Sequence, residues 1–221
     1  MRSGSITFII VNDGSTDNTQ REALKFRKRN VMVVGYSKNA GKGNAILCGM
    51  AHASGNYVIF LDSDLEIGPA YAFDLLSTAA ASGAGVAILS KNHPLSSTNF
   101  PAYRKFLSRG YYMFAKILFR IPVSDTQTGC KVFRADVLGQ VAGFLAAKRF
   151  CFDLELLAYV NMLGHAIIEK PIDVVFRREK SRIRTSSVLE MFADTILIFF
   201  RYHRNAGRVR KASGFNNLAK T

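Results

Sequence analysis

Tyr57-Val-Ile-Phe-Leu-Asp-Ser-Asp64 decides the fold: five apolar residues run without interruption and then deliver two carboxylates. A run of this length reads as a strand buried on both faces, and such strands belong to parallel sheets covered by helices. The pattern occurs earlier in Ile6-Thr-Phe-Ile-Ile-Val11, which ends in the turn signal Asn12-Asp13-Gly14-Ser15. A helix capped by Thr16-Asp17 follows, with Ala23, Leu24 and Phe26 near helical spacing. Residues 31–34 form a second short strand, and Asn39-Ala-Gly-Lys-Gly43 makes a glycine turn opening a helix through Ala45, Leu47, Met50 and Ala53. Beyond the deciding stretch, a helix over 69–81 and a strand over 85–89 complete an alternation that predicts an α/β fold. The second half predicts a helix over 102–119, a loop at 125–129, a strand to Phe133 and a helix over 152–162. A strand over 166–175, a basic loop and an amphipathic helix over 187–204 come last. From Asn205 no periodic apolar face remains, so a loose basic tail is expected.

The 221 residues suit one sizeable domain, and 48% apolar with 21% charged residues excludes a disordered chain. A formal charge of +14 calls for an anionic partner. From Arg177 onward eleven Lys or Arg face only Glu179, Glu190 and Asp194, so eight of the fourteen surplus charges lie in the last fifth. No basic motif interleaved with aromatics is present, which argues against nucleic acid. Cys48, Cys130 and Cys151 stand too far apart for a disulfide framework or a zinc site, which suits a reducing compartment. The opening apolar run is too brief for a secretory leader, and the apolar stretch at 195–200 is too short to span a bilayer.

In open α/β sheets ligands bind outside the carboxyl ends of the strands. Three polar clusters arrive there: residues 12–15, 39–43 and 62–66. Asp62 and Asp64 flank one residue, so an extended backbone turns both carboxylates to one side, and Glu66 continues the register. Hard oxygen ligands of this kind suit Mg2+ or Mn2+ bridging to a diphosphate. An isolated D-x-D is more often a solvated acidic turn. The Gly41-Lys42-Gly43 turn lacks the spacing of a P-loop or a Rossmann fingerprint and reads equally well as a phosphate cradle or a plain turn. Asp153 and Glu155 read either as site residues or as helix carboxylates paired with arginines.

Taken together, Val11-Asn-Asp-Gly-Ser-Thr-Asp17, Asn39-Ala-Gly-Lys-Gly43 and Asp62-Ser-Asp-Leu-Glu66 resemble family 2 glycosyltransferases. Asp125-Thr-Gln-Thr-Gly-Cys-Lys-Val-Phe-Arg134, Phe152-Asp-Leu-Glu-Leu156 and Arg177-Arg-Glu-Lys-Ser-Arg-Ile183 are similar to the branch that makes dolichyl- or polyprenyl-phosphate mannose and glucose. The resemblance runs from about residue 6 to 204. It implies a glycosyltransferase-A type, Rossmann-like fold, with a mostly parallel sheet and helices on both faces. The implied activity is metal-dependent, inverting transfer of a hexose, glucose or mannose, from a UDP- or GDP-sugar to a polyprenyl phosphate.

The resemblance also implies roles. Asp13, Gly14, Ser15, Lys42 and Asp62 would bind the nucleotide-sugar, and Asp62, Asp64 and Glu66 would hold Mg2+ or Mn2+. Arg104, Gln127, Lys131 and Arg177 would meet the acceptor phosphate, while Asp64, Lys131, Arg134 and Arg182 would act at the reacting centre. Residues 1–185 would form the catalytic domain, 186–204 an amphipathic helix lying on an anionic membrane surface, and 205–221 a flexible tail. The expected place is cytoplasmic, peripheral at the inner face of a membrane. Members of the family normally begin with a further strand and helix, which have no counterpart ahead of Ile6. The expectation is that strand edges lie open where that strand belongs. That departure motivates a second reading, a catalytically impaired binding or scaffold subunit of a membrane glycosylation complex.

Overall fold

The computed structural model describes residues 5–64, 66–97, 102–147, 149, 151–173 and 185–218, with 102–105, 185–189, 210 and 212–218 as backbone only. Strands and helices run β1 (Phe8–Asp13), α1 (Thr19–Leu24), β2 (Val31–Tyr36), α2 (Lys42–Met50), β3 (Tyr57–Leu61), α3 (Pro69–Ser82) and β4 (Val86–Ser90). Then come α4 (Ala102–Phe119), β5 (Cys130–Arg134), α5 (Ala135–Ala142), α6 (Phe152–Met162), β6 (Ile167–Pro171) and α7 (Thr185–Leu218).

The strands fall into a parallel pair, β1 with β2, and a four-stranded sheet in the order β3-β5-β4-β6. β5 alone runs against its neighbours, while β4 and β6 are parallel. The reversal matters for the site. Because β5 is antiparallel, Cys130 lies opposite Leu61 and Arg134 opposite Tyr57, so the loop entering β5 arrives at the edge where β3 ends.

Side chains alternate across the four-stranded sheet and build a core on each face. Val86, Ile88 and Phe133 pack with Tyr111 and Phe119 of α4, Val137 of α5, and Leu154 and Leu157 of α6. Ala87, Leu89, Cys130 and Val132 pack against Ala72, Leu75 and Ala79 of α3. β4 is buried along its whole length, as its unbroken apolar run requires.

The β1–β2 pair departs from the reading of β1 as fully buried. Ile9 and Val11 turn inward, but Phe8 is 51% and Ile10 37% exposed. Among the described residues β1 pairs only with β2, and β3 only with β5, so each keeps one open edge. α5 was not anticipated, since Ala135–Ala142 spans barely two turns. α7 does not stop at Arg204 but continues through the segment expected to be loose. No helix among the described residues is long and apolar enough to cross a membrane.

Leu75 is fully buried between α3 and the sheet. Leu75→Ala should lower the unfolding free energy by about 2–5 kcal/mol, read as a lower urea midpoint at an unchanged slope.

Candidate active site

The site lies at the edge where β1, β2 and β3 end. Asp13 closes β1 and its carboxylate accepts hydrogen bonds from the backbone of the next loop: Oδ1 from Ala40 N–H at 2.8 Å and Oδ2 from Gly41 N–H at 3.0 Å. Asn39 Nδ2 donates back to the Asp13 carbonyl at 3.0 Å. The two loops touch so closely that a Cβ on Gly14 would stand 2.3 Å from Asn39 N, and Gly14 has φ +65°. Only glycine fits there without strain. Ser15 N–H donates to Asn12 Oδ1 at 3.2 Å, closing the turn.

This clasp fixes the first residue of α2, Lys42. Its Nζ lies 3.0 Å from Asp62 Oδ1 and 3.2 Å from Asp153 Oδ2. Burial works to lower the Lys42 pKa, but the charges of Asp153 and Asp62 override it and hold the ammonium above its ordinary range. Asp153, at the start of α6, also accepts from Lys131 Nζ at 2.7 Å, and that ammonium donates to the Thr128 carbonyl. Lys131 and Asp153 are both buried. Asp62 N–H donates to the Gly129 carbonyl at 2.9 Å. A Cβ at Gly129 would come within 2.6 Å of Asp62 Oδ2, so the glycine lets the carboxylate lie flat against the β5 loop.

A second cluster adjoins the first. Glu66 Oε2 accepts from Lys91 Nζ at 2.8 Å, and the Lys91 N–H donates to Asp125 Oδ2 at 3.1 Å. Asp125 Oδ1 accepts from Gln127 N–H at 2.9 Å. Glu169 Oε1 receives the Ser124 N–H at 2.7 Å and the Asp125 N–H at 3.2 Å, which pins the start of the 125–129 loop. Behind the site, Glu155 is fully buried and its Oε2 accepts from Ala146 N–H at 2.8 Å and Ala147 N–H at 2.7 Å. Its Oε1 stands 3.1 Å from Arg201 Nη2 on α7. The Ala147 carbonyl in turn lies against Gly43, where a Cβ would approach it to 2.4 Å.

The profile of the family Glycosyl transferase family 2 matches residues 3–141, well over half of the chain. The chain belongs to glycosyl transferase family 2. Among curated relatives of this family 2 chain, a dolichyl-phosphate beta-glucosyltransferase of Trichomonas vaginalis is 28% identical over 91% of the chain and 64% of its own length. The corresponding proteins of Dictyostelium discoideum and Mus musculus are 26% and 28% identical, covering 90% and 93% of the chain and 64% and 68% of their own lengths. The chain thus spans about two thirds of the length of the curated relatives it matches. Glucosyl-3-phosphoglycerate synthase from Mycobacterium tuberculosis, crystallised with UDP, superposes with a TM-score of 0.61 at 19% identity, over 86% of this chain and 68% of that one. The same enzyme crystallised with Mn2+, UDP-glucose and phosphoglyceric acid superposes equally, at 17% identity over the same shares. These likenesses establish the family 2 fold.

The structure sorts the expected site residues. Asp13, Lys42, Asp62, Asp64, Glu66 and Gln127 gather at one edge, while the predicted convergence of three carboxylates does not occur: among the described residues no three acidic, His or Cys side chains are placed to share a metal. The extended register ends at Leu61 and residues 63 and 64 form a turn. There Asp64 Oδ1 accepts from Glu66 N–H at 3.2 Å, as Lys42 engages Asp62 and Lys91 engages Glu66. The donor chemistry nevertheless fits a divalent cation. Glu66 Oε1 is buried with no hydrogen-bond partner, and an ammonium already occupies a cation's position beside Asp62.

Two expected roles are corrected. Lys131 is 1% exposed and tied to Asp153 and Thr128, so it holds the floor of the site and cannot meet an acceptor phosphate. Arg134 lies at the far end of β5, opposite Tyr57, with its guanidinium paired to Asp136 at 2.7 Å, so it takes no part at this edge. Arg177, Arg182 and the Arg104 side chain lie outside the described residues. Asp153 and Glu155 are the residues that sequence reasoning left undecided, and Asp153 proves to sit in the site while Glu155 pairs with Arg201 behind it. Carboxylates alternating with large apolar residues in Phe152-Asp-Leu-Glu-Leu156 need partners if the helix is buried, and that requirement is the signal.

Asp153→Asn leaves Lys131 charged and uncompensated in the interior, and should cost about 3–5 kcal/mol in urea unfolding. Asp64→Asn on the exposed turn should change the unfolding free energy by no more than about 0.5 kcal/mol. Burial pushes the Cys130 thiol up to about 11, with Lys131 opposing and Asp62 reinforcing the shift. Cys130 should therefore resist iodoacetamide at pH 8 in the folded protein and react in urea, followed by mass spectrometry of the peptides.

Proposed function

We propose that the chain carries the catalytic site of an inverting glucosyltransferase that moves glucose from UDP-glucose to a dolichyl or other polyprenyl phosphate. The observation that carries this reading is the meeting at one sheet edge of the Asp13 clasp, the Lys42–Asp62 pair and the 125–129 loop. The curated relatives, named as dolichyl-phosphate beta-glucosyltransferases, favour glucose over mannose and with it a uridine rather than a guanosine donor.

A phosphate oxygen is anionic before it reacts. It attacks the anomeric carbon from the face opposite the leaving diphosphate and needs no general base, so orientation and charge carry the rate. The Asp13 clasp sets the loop that carries Lys42, and Lys42 places one positive charge beside the donor edge. Asp62, and Glu66 through its buried, unpartnered Oε1, would offer carboxylate oxygens to Mg2+ or Mn2+, which would neutralise the charge developing on the departing diphosphate. Lys91, its ammonium held by Glu66, is tied to the 125–129 loop through the bond from its amide to Asp125. The acceptor places the work at a membrane, on the cytoplasmic side where nucleotide-sugars are found, with anionic lipid rather than nucleic acid answering the +14 charge.

The open edges of β1 and β3 favour a second reading, a binding or scaffold subunit of a membrane glycosylation complex that holds nucleotide without turnover. Incubation with Mg2+, labelled UDP-glucose and polyprenyl phosphate decides between them. Organic-extractable label is expected, and Asp62→Asn should cut it by about 10²-fold or more. Calorimetric binding of UDP with no label transferred from UDP-glucose or GDP-mannose would select the scaffold reading instead.

A further inference from the structure

α4 carries an apolar stripe that packs on no other element among the described residues. Tyr111, Ala115 and Phe119 turn into the core, and Phe114 meets Phe192 of α7. On the opposite side Phe106 is 78%, Met113 55% and Ile117 74% exposed. With Gly110, whose Cβ position is open to at least 4 Å, these residues recur at i, i+4, i+7 and i+11 and share an arc of about 60° at ~100° per residue. Arg109 and Lys116 border the same arc, exposed on one side of it. No Asp or Glu occurs anywhere between residues 75 and 124. α7, packed beside α4, also turns Ile196, Leu197 and Phe200 to the outside ahead of Arg204 and Arg208.

We propose that the outward face of α4 is a membrane-docking surface, seated at the interface of a bilayer containing anionic lipid, and that it works alongside α7. A helix that inserts Phe, Met and Ile while lysine and arginine border the stripe has the composition of an interfacial helix, with long basic side chains reaching the headgroups. A protein partner of ordinary acidic and basic character would find no acidic complement along this helix. The inference deepens the reading of a lipid-borne acceptor and rests on it. α4 leads through residues 120–124 into the 125–129 loop, so docking would hold that loop next to the headgroup layer.

Flotation of the 221-residue protein with phosphatidylcholine vesicles, with and without phosphatidylserine, tests the surface. The wild type should float with the anionic vesicles. The variant Phe106→Gln, Met113→Gln, Ile117→Gln should lose about tenfold in recovery with its melting temperature retained, because all three side chains already face solvent. Arg109→Glu with Lys116→Glu, which keeps the apolar stripe, should lose the preference for phosphatidylserine. Transfer to a short-chain, water-soluble prenyl phosphate should be unchanged in the triple variant, which separates failure of docking from failure of the chemistry. Equal recovery of wild type and triple variant overturns the proposal. So does a wild type that stays unbound and elutes as a dimer which the triple variant converts to monomer, since the face would then belong to a second copy of the chain.

Discussion

Asp153 is the hinge on which the site turns: a carboxylate removed from water and held between two ammonium groups, Lys131 within the sheet and Lys42 at the start of α2. Neither charge could stay in that interior without the others. Lys131 anchors Asp153 to the β5 strand, and Asp153 sets where Lys42 stands, which in turn meets Asp62. Four segments separated in sequence are thereby held in one charge alternation. The arrangement also explains why the acidic residue following β3 is not a plain solvated turn. Its nearest neighbour is a cation fixed from behind.

The reversed strand β5 supplies the other constraint. Had β5 run parallel with β3 and β4, its leading loop would lie at the opposite edge and Gly129 could not support the Asp62 carboxylate. Antiparallel entry brings the 125–129 loop, pinned by Glu169, to the same side as the Asp13 clasp. The four-stranded sheet is closed by cores on both faces, whereas the β1–β2 pair leans on α2 and the short α1 and shows Phe8 and Ile10 to solvent.

Much of this was legible because continuous apolar runs mark strands wherever they fall. β2, β3, β4, α3, α4 and α6 lie within a few residues of their expected bounds. What local pattern could not carry was direction. Nothing in Cys130-Lys-Val-Phe-Arg134 tells which way it runs, and Lys131 and Arg134, given to the reacting centre by the resemblance alone, face the core and the far end. The carboxylates of residues 62–66 were placed by strand periodicity, which ceased to apply once the backbone turned at Ser63. Asp13 was expected to touch a nucleoside. Both its oxygens hold backbone instead, a role that needs knowledge of where the neighbouring loop lies.

Glu155 joins parts of the molecule that would otherwise be strangers. One of its oxygens grips the amides of residues 146 and 147, the other meets Arg201, and the carbonyl of Ala147 presses on Gly43. α7 and the first turn of α2, where Gly43 follows Lys42, are therefore joined through one side chain and the backbone of residues 146 and 147. A force applied to α7 from outside, by a lipid headgroup or by a neighbouring protein, has a short mechanical path to the ammonium beside Asp62. Distance along the chain between positions 43 and 201 conceals how directly the two are geared together.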